Sequence, residues 1–106
     1  MPTIPITRPI ARNFKRETSL VALATPYVGK IMTMSHAKFT EAKQSEDRLA
    51  ELILPIMKGC PWQIFQFIDE HPANWPSFYR ERFWMLRSMR NHPIHSATLF
   101  ANLRPD

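Results

Sequence analysis

Proline spacing constrains this chain more than any other feature. Within Cys60–Arg90, Pro61 and Pro72 bracket the run Trp-Gln-Ile-Phe-Gln-Phe-Ile-Asp-Glu, and Pro76 opens a second run that continues to Arg90. Proline suits the first turn of a helix, where no backbone donor is needed, but in the interior it removes a hydrogen bond and clashes with the preceding turn. The spacing therefore predicts a short helix over 62–70 and a longer one over roughly 76–90. The turn between them is so short that the two must pack as neighbours.

At 100° per residue, Trp75, Phe78, Tyr79, Phe83, Met85, Leu86 and Met89 share a broad apolar face of the second helix, while Arg80, Glu81, Arg87 and Ser88 lie mostly off it. Two residues break the pattern. Arg82 points into the apolar face, either as a stem that snorkels to water or as a partner for Asp69 or Glu70. Trp84 points outward, as an isolated exposed aromatic or as a contact for a partner. The first helix is apolar nearly all round, through Trp62, Ile64, Phe65, Phe67 and Ile68. A small domain is expected to bury that surface beneath its N-terminal segment or to offer it to another protein.

Upstream, Ser35 is a plausible N-cap for a helix running from His36 to about Lys58, with Phe39, Ala42, Leu49, Leu52, Ile53 and Ile56 inward and Gly59 as its stop. Pro55 should end that helix early or kink it. Asn13–Ala24 is a candidate helix with Phe14, Leu20, Val21 and Leu23 as docking residues, ended by Pro26, and the state of Tyr27–Met34 is open. Pro2, Pro5 and Pro9 mark Met1–Arg12 as a flexible arm. Asn91-His-Pro closes the last main helix, and Ser96–Leu103 can return Leu99, Phe100 and Leu103 to the core. Two glycines against ten prolines favour sharply ended helices over a turn-rich β-sandwich. The expected fold is all-α: an N-terminal extension over 1–34, a three-helix core over 35–95 and a short C-terminal segment over 96–106.

The order Cys-Pro, seven residues, Asp-Glu-His-Pro, four residues, Ser-Phe-Tyr-Arg-Glu-Arg-Phe and then Arg87 resembles the theta subunit of bacterial DNA polymerase III, including its phage and plasmid relatives. The two prolines, Ser77, Phe78, Tyr79, the run Arg80–Arg82 and Arg87 carry the likeness, which covers about a third of the 106 residues without a gap. It implies a non-catalytic accessory protein that binds and stabilises the proofreading 3′-to-5′ exonuclease subunit, epsilon. Trp62, Phe65, Phe67, Arg80, Trp84 and Arg87 are then the candidate partner contacts.

Charge and chemistry leave room for other readings. Five basic residues face one acid up to Ser35, giving +4, whereas nine face eight in the remainder, giving +1. Arg8, Arg12, Lys15 and Arg16 are therefore candidate nucleic-acid contacts, and helices 62–70 and 76–90 could form the helix-turn-helix of a small DNA-binding regulator. Phe83, Trp84, Met85 and Leu86 stand where a reader of base edges would want polar side chains, which argues for a protein partner. A phage or plasmid adaptor or inhibitor built on the same scaffold is a third reading. No glycine-rich phosphate loop, nucleophile elbow or cysteine pair is present, so neither catalysis nor a cofactor is expected. His92 and His95 lack further ligands at metal spacing. The single Cys60 and the lack of a long apolar run read as a protein of a reducing, cytoplasmic compartment with no membrane span.

Overall fold

The computed structural model describes residues 19–105, and they fold into an all-α structure. Helix α1 covers 19–33, followed by α2 (His36–Gln44), α3 (Glu46–Met57), α4 (Trp62–Glu70), two 3-10 segments (Pro72–Asn74 and Ser77–Phe83), α5 (Trp84–Asn91) and α6 (His95–Asn102). None of the described helices is long and apolar enough to cross a membrane. The proline-spaced arm, Phe14 and the basic residues Arg8, Arg12, Lys15 and Arg16 lie outside the described residues.

Helix α1 corrects the expected boundary between extension and core. Pro26 does not end it: the helix continues to residue 33, and Ala24, Val28 and Ile31 are buried in the same cluster as the rest of the core. Their i, i+4, i+7 spacing is the inward stripe of an amphipathic helix. Leu20 and Val21 pack at its margin as expected, whereas Leu23 stays exposed. Pro26 and Ala22 are both exposed, so the carbonyl that Pro26 leaves without a donor can be hydrated.

The helix expected from His36 to Lys58 is two helices. Ser45 is extended (φ −155°, ψ 150°), and its hydroxyl accepts from the Arg48 amide at 3.1 Å, so it caps α3 as Ser35 caps α2. Glu46 and Asp47 follow in the first turn, where acidic groups complement the helix dipole. Pro55 does not end α3, which continues to Met57; Glu51, whose carbonyl Pro55 leaves without a donor, is exposed, so that carbonyl can be hydrated. Gly59 then takes φ 74°, the left-handed conformation that suits glycine after a helix.

Helix α3 packs against α2, α5 and α6. The C-terminal segment belongs to the core: Leu99 and Leu103 are buried. The Asn102 side chain donates to the Leu54 carbonyl at 2.9 Å, and Arg104 pairs with the Cys60–Trp62 backbone in an isolated parallel bridge. Phe100, expected inside, remains 39% exposed.

The second Pro-led run is not a uniform α-helix. Ser77–Phe83 is 3-10, and only Trp84 onward is α. A 3-10 helix turns about 120° per residue instead of 100°, so over the five steps from Phe83 back to Phe78 the wheel slips by about 100°. Trp75, Phe83, Met85, Leu86 and Met89 are buried as expected, but Phe78 is 72% exposed.

Candidate protein interface

Helix α4 places its apolar residues unequally. Ile64, Phe65, Phe67 and Ile68 are buried, which removes Phe65 and Phe67 from the candidate surface contacts: the core that α1 completes covers them. Trp62, on the first turn, is 40% exposed. Its ring meets Phe100 of α6 edge-on, with centroids 5.2 Å apart and planes at 62°, and both rings lean on the buried Phe65 at 6.1 and 6.2 Å. Leu103, Arg104 and Pro105 complete a shallow hollow of about 390 Å³ beside this pair. Edge-to-face aromatic packing fixes the rings in place, so the patch is a rigid apolar surface with a cationic edge.

Trp84 is 44% exposed and lines a different concavity, of about 260 Å³. Ala42, Leu49 and Met89 supply its apolar lining, and Glu46, His92 and His95 supply much of its polar lining. The rings of His92 and His95 lie 4.5 Å apart between centroids. His92 Nε2 pairs with Glu46, and His95 Nε2 lies 3.5 Å from Asp47. His92 Nδ1 accepts from the amides of Ile94 and His95, at 3.2 Å each, so it acts as a side-chain cap on α6. That arrangement calls for the tautomer with its proton on Nε2, facing Glu46.

The arginines of this region have partners within the chain. Arg80 donates from Nε to the Trp75 carbonyl at 3.0 Å and from Nη2 to Ala73 at 3.4 Å, bracing the turn between α4 and the 3-10 segment. Arg87 donates to the Asp69 side chain at 3.4 Å and to its backbone at 3.3 Å, and Arg90 pairs with the other Asp69 carboxylate oxygen. Asp69 is the one buried charged residue among those described, and two arginines neutralise it. Arg82 pairs with neither Asp69 nor Glu70. Its guanidinium instead reaches the carbonyls of Ile31 and Met32 at the end of α1 and of Met34 just after it, over the rings of Phe39 and Tyr79.

Of the sequence-based candidates, Trp62 and Trp84 are therefore exposed on separate concavities, Arg80 and Arg87 are held as internal braces, and Phe65 and Phe67 are core. Phe100 was missed, although its place one step after the buried Leu99 turns it about 100° away from the core-facing direction. No protein-family model matches the chain, and neither a curated protein nor a solved structure is significantly similar to it.

Proposed function

We propose that this chain is a non-catalytic accessory protein of the theta type, which binds and stabilises the proofreading 3′-to-5′ exonuclease subunit of a bacterial DNA polymerase III. The observation that carries the binding reading is the Trp62–Phe100 pair: two large aromatic side chains, fixed against each other and about 40% exposed on rigid helices. Aromatic residues at the centre of a patch are the commonest anchors of protein interfaces. The identity of the partner rests on the ungapped likeness from Cys60 to Arg87 to the theta family.

The helix-turn-helix alternative has less support. Arg87 and Arg90 are committed to Asp69, Arg82 is committed to α1, and the inward face of α5 consists of Met85, Leu86 and Met89. A recognition helix needs free polar side chains at base edges. The adaptor or inhibitor reading differs only in its target. Co-elution with the exonuclease subunit on gel filtration tests the proposal: a complex that is lost or weakened by Trp62→Ala is expected. No complex at micromolar concentrations would reject it.

A further inference from the structure

The end of the molecule that carries Trp62 and Phe100 is charged with one sign. The amides of Gly59 and Trp62 donate to the carbonyls of Asn102 and Arg104, at 2.9 Å each, which sets the start of α4 beside the last residues of α6. The stretches 52–68 and 95–105 that meet there contain Lys58 and Arg104 but no aspartate or glutamate. Arg104 differs from the other described arginines. Arg48, Arg80, Arg82, Arg87 and Arg90 all donate to acceptors within the chain, whereas the exposed Arg104 guanidinium has no partner among the described residues. Helix α4 itself begins without a side-chain cap and without an acid in its first turn, so the positive end of its dipole adds to the same sign. The hollow of about 390 Å³ is lined by Trp62, Phe100, Leu103, Pro105 and this one unpaired cation.

On the reading of this patch as the protein interface, we infer that the hollow receives an acidic segment of the partner protein, in which an apolar side chain packs against the Trp62 and Phe100 rings and a neighbouring carboxylate meets the Arg104 guanidinium. A guanidinium donates in a planar fork that matches a carboxylate. Because Arg104 is exposed, solvent and salt screen the pair, so it selects the partner and speeds encounter more than it adds affinity. The rings supply most of the affinity. A nucleic-acid strand is a poorer match: it needs a track of cations and open ring faces, whereas one arginine lines the hollow and Trp62 and Phe100 pack edge to face.

The test is an NMR titration of the isotope-labelled full chain with acetyl-Asp-Leu-Phe-Asp-amide, following the Trp62 indole resonance as assigned with Trp62→Phe. The peptide with both aspartates replaced by asparagine keeps the shape and loses the charge. The acidic peptide is expected to shift the Trp62 resonance in a saturable way and to bind at least about threefold more tightly than its neutral counterpart at low salt. Raising the salt from about 50 mM to about 300 mM should remove most of that preference, and so should Arg104→Gln, whose contacts in the fold are made by its backbone. Asp106→Asn, which removes the acid nearest to Arg104 in sequence, should bind the acidic peptide at least as tightly. No Trp62 shift, equal binding of the neutral peptide, an undiminished preference in Arg104→Gln, or tighter binding of an oligothymidylate than of the acidic peptide would each overturn the inference. If the peptide fails while Trp62→Ala still disrupts the exonuclease complex, the inference falls and the proposed function stands. If the peptide binds as expected and no exonuclease complex forms, the proposed function falls and the inference stands.

Discussion

Arg82 donates from Nη1 to the carbonyl oxygen of Met34 at 2.6 Å, across 48 residues of sequence. The same nitrogen lies 3.1 Å from the Ile31 carbonyl and 3.3 Å from that of Met32. Ile31 and Met32 lie in the last turn of α1, whose carbonyls have no amide partner within the helix, and Met34 follows that turn directly, so a cation there also meets the negative end of the helix dipole. One side chain from the 3-10 segment thus fastens the N-terminal helix to the rest of the fold.

Arg82→Leu is expected to destabilise the protein by about 2 kcal/mol, because it removes charge-assisted bonds and leaves partly buried carbonyls unmatched. Arg82→Lys should lose less, since it keeps the charge. Urea unfolding of Arg82→Leu with and without Asp69→Asn separates the two networks. They share no partner, so the two effects should add within about 0.5 kcal/mol. A larger coupling would restore the Arg82–Asp69 pairing that the sequence suggested.

Asp69 should instead couple to Arg90. Its side chain is almost wholly buried, whereas that of Arg90 is about one-third exposed and that of Arg87 about half, so solvent screening reduces the contribution of both arginines. A double-mutant cycle of Asp69→Ala and Arg90→Ala is expected to give a coupling of about 1–2 kcal/mol, with Asp69→Ala the milder single change because it leaves its charge partners near water. Additive effects would mean that the contact contributes nothing to stability.

A chain starting at Thr33 should fail to unfold cooperatively. It lacks Ala24, Val28 and Ile31, which are fully buried, and two of the acceptors of Arg82. The boundary expected from sequence places this segment in an extension outside the three-helix core. A sharp thermal transition with retained helicity would reinstate that boundary.

Gly29→Ala should raise stability by about 0.5–1 kcal/mol, because glycine in a helix interior carries an entropic penalty relative to alanine. The added methyl meets no atom within 4 Å, and Gly29 is only partly buried. A fall in the unfolding midpoint would show that α1 does not hold as a helix through this position.

The Pro-bracketed helix from Trp62 to Glu70 was legible because two prolines and one apolar run agree on its limits. The break at Ser45 also had a signal, a serine followed by two acids, but the longer apolar period over Phe39–Ile56 overrode it. The inward stripe of Ala24, Val28 and Ile31 was hidden by Pro26 and Gly29, which argue against a helix locally and are outweighed by burial. Three features had no local signature. Arg82 bonds to carbonyls, which every residue carries. The 3-10 winding of Ser77–Phe83 changes the wheel itself. The Trp62–Phe100 contact depends on α6 folding back beside α4.

The most direct measurement is the thermal inactivation of the exonuclease subunit with and without an excess of this protein. A partner that binds only the folded exonuclease stabilises it by about 2.7 kcal/mol at a hundredfold excess over the dissociation constant, so a clear upward shift of the inactivation midpoint is expected. Trp62→Ala should weaken binding by about 2 kcal/mol and reduce that shift while largely preserving this protein's own unfolding transition. An unchanged midpoint in the presence of the unaltered, folded protein would contradict the assignment as an exonuclease-stabilising accessory protein.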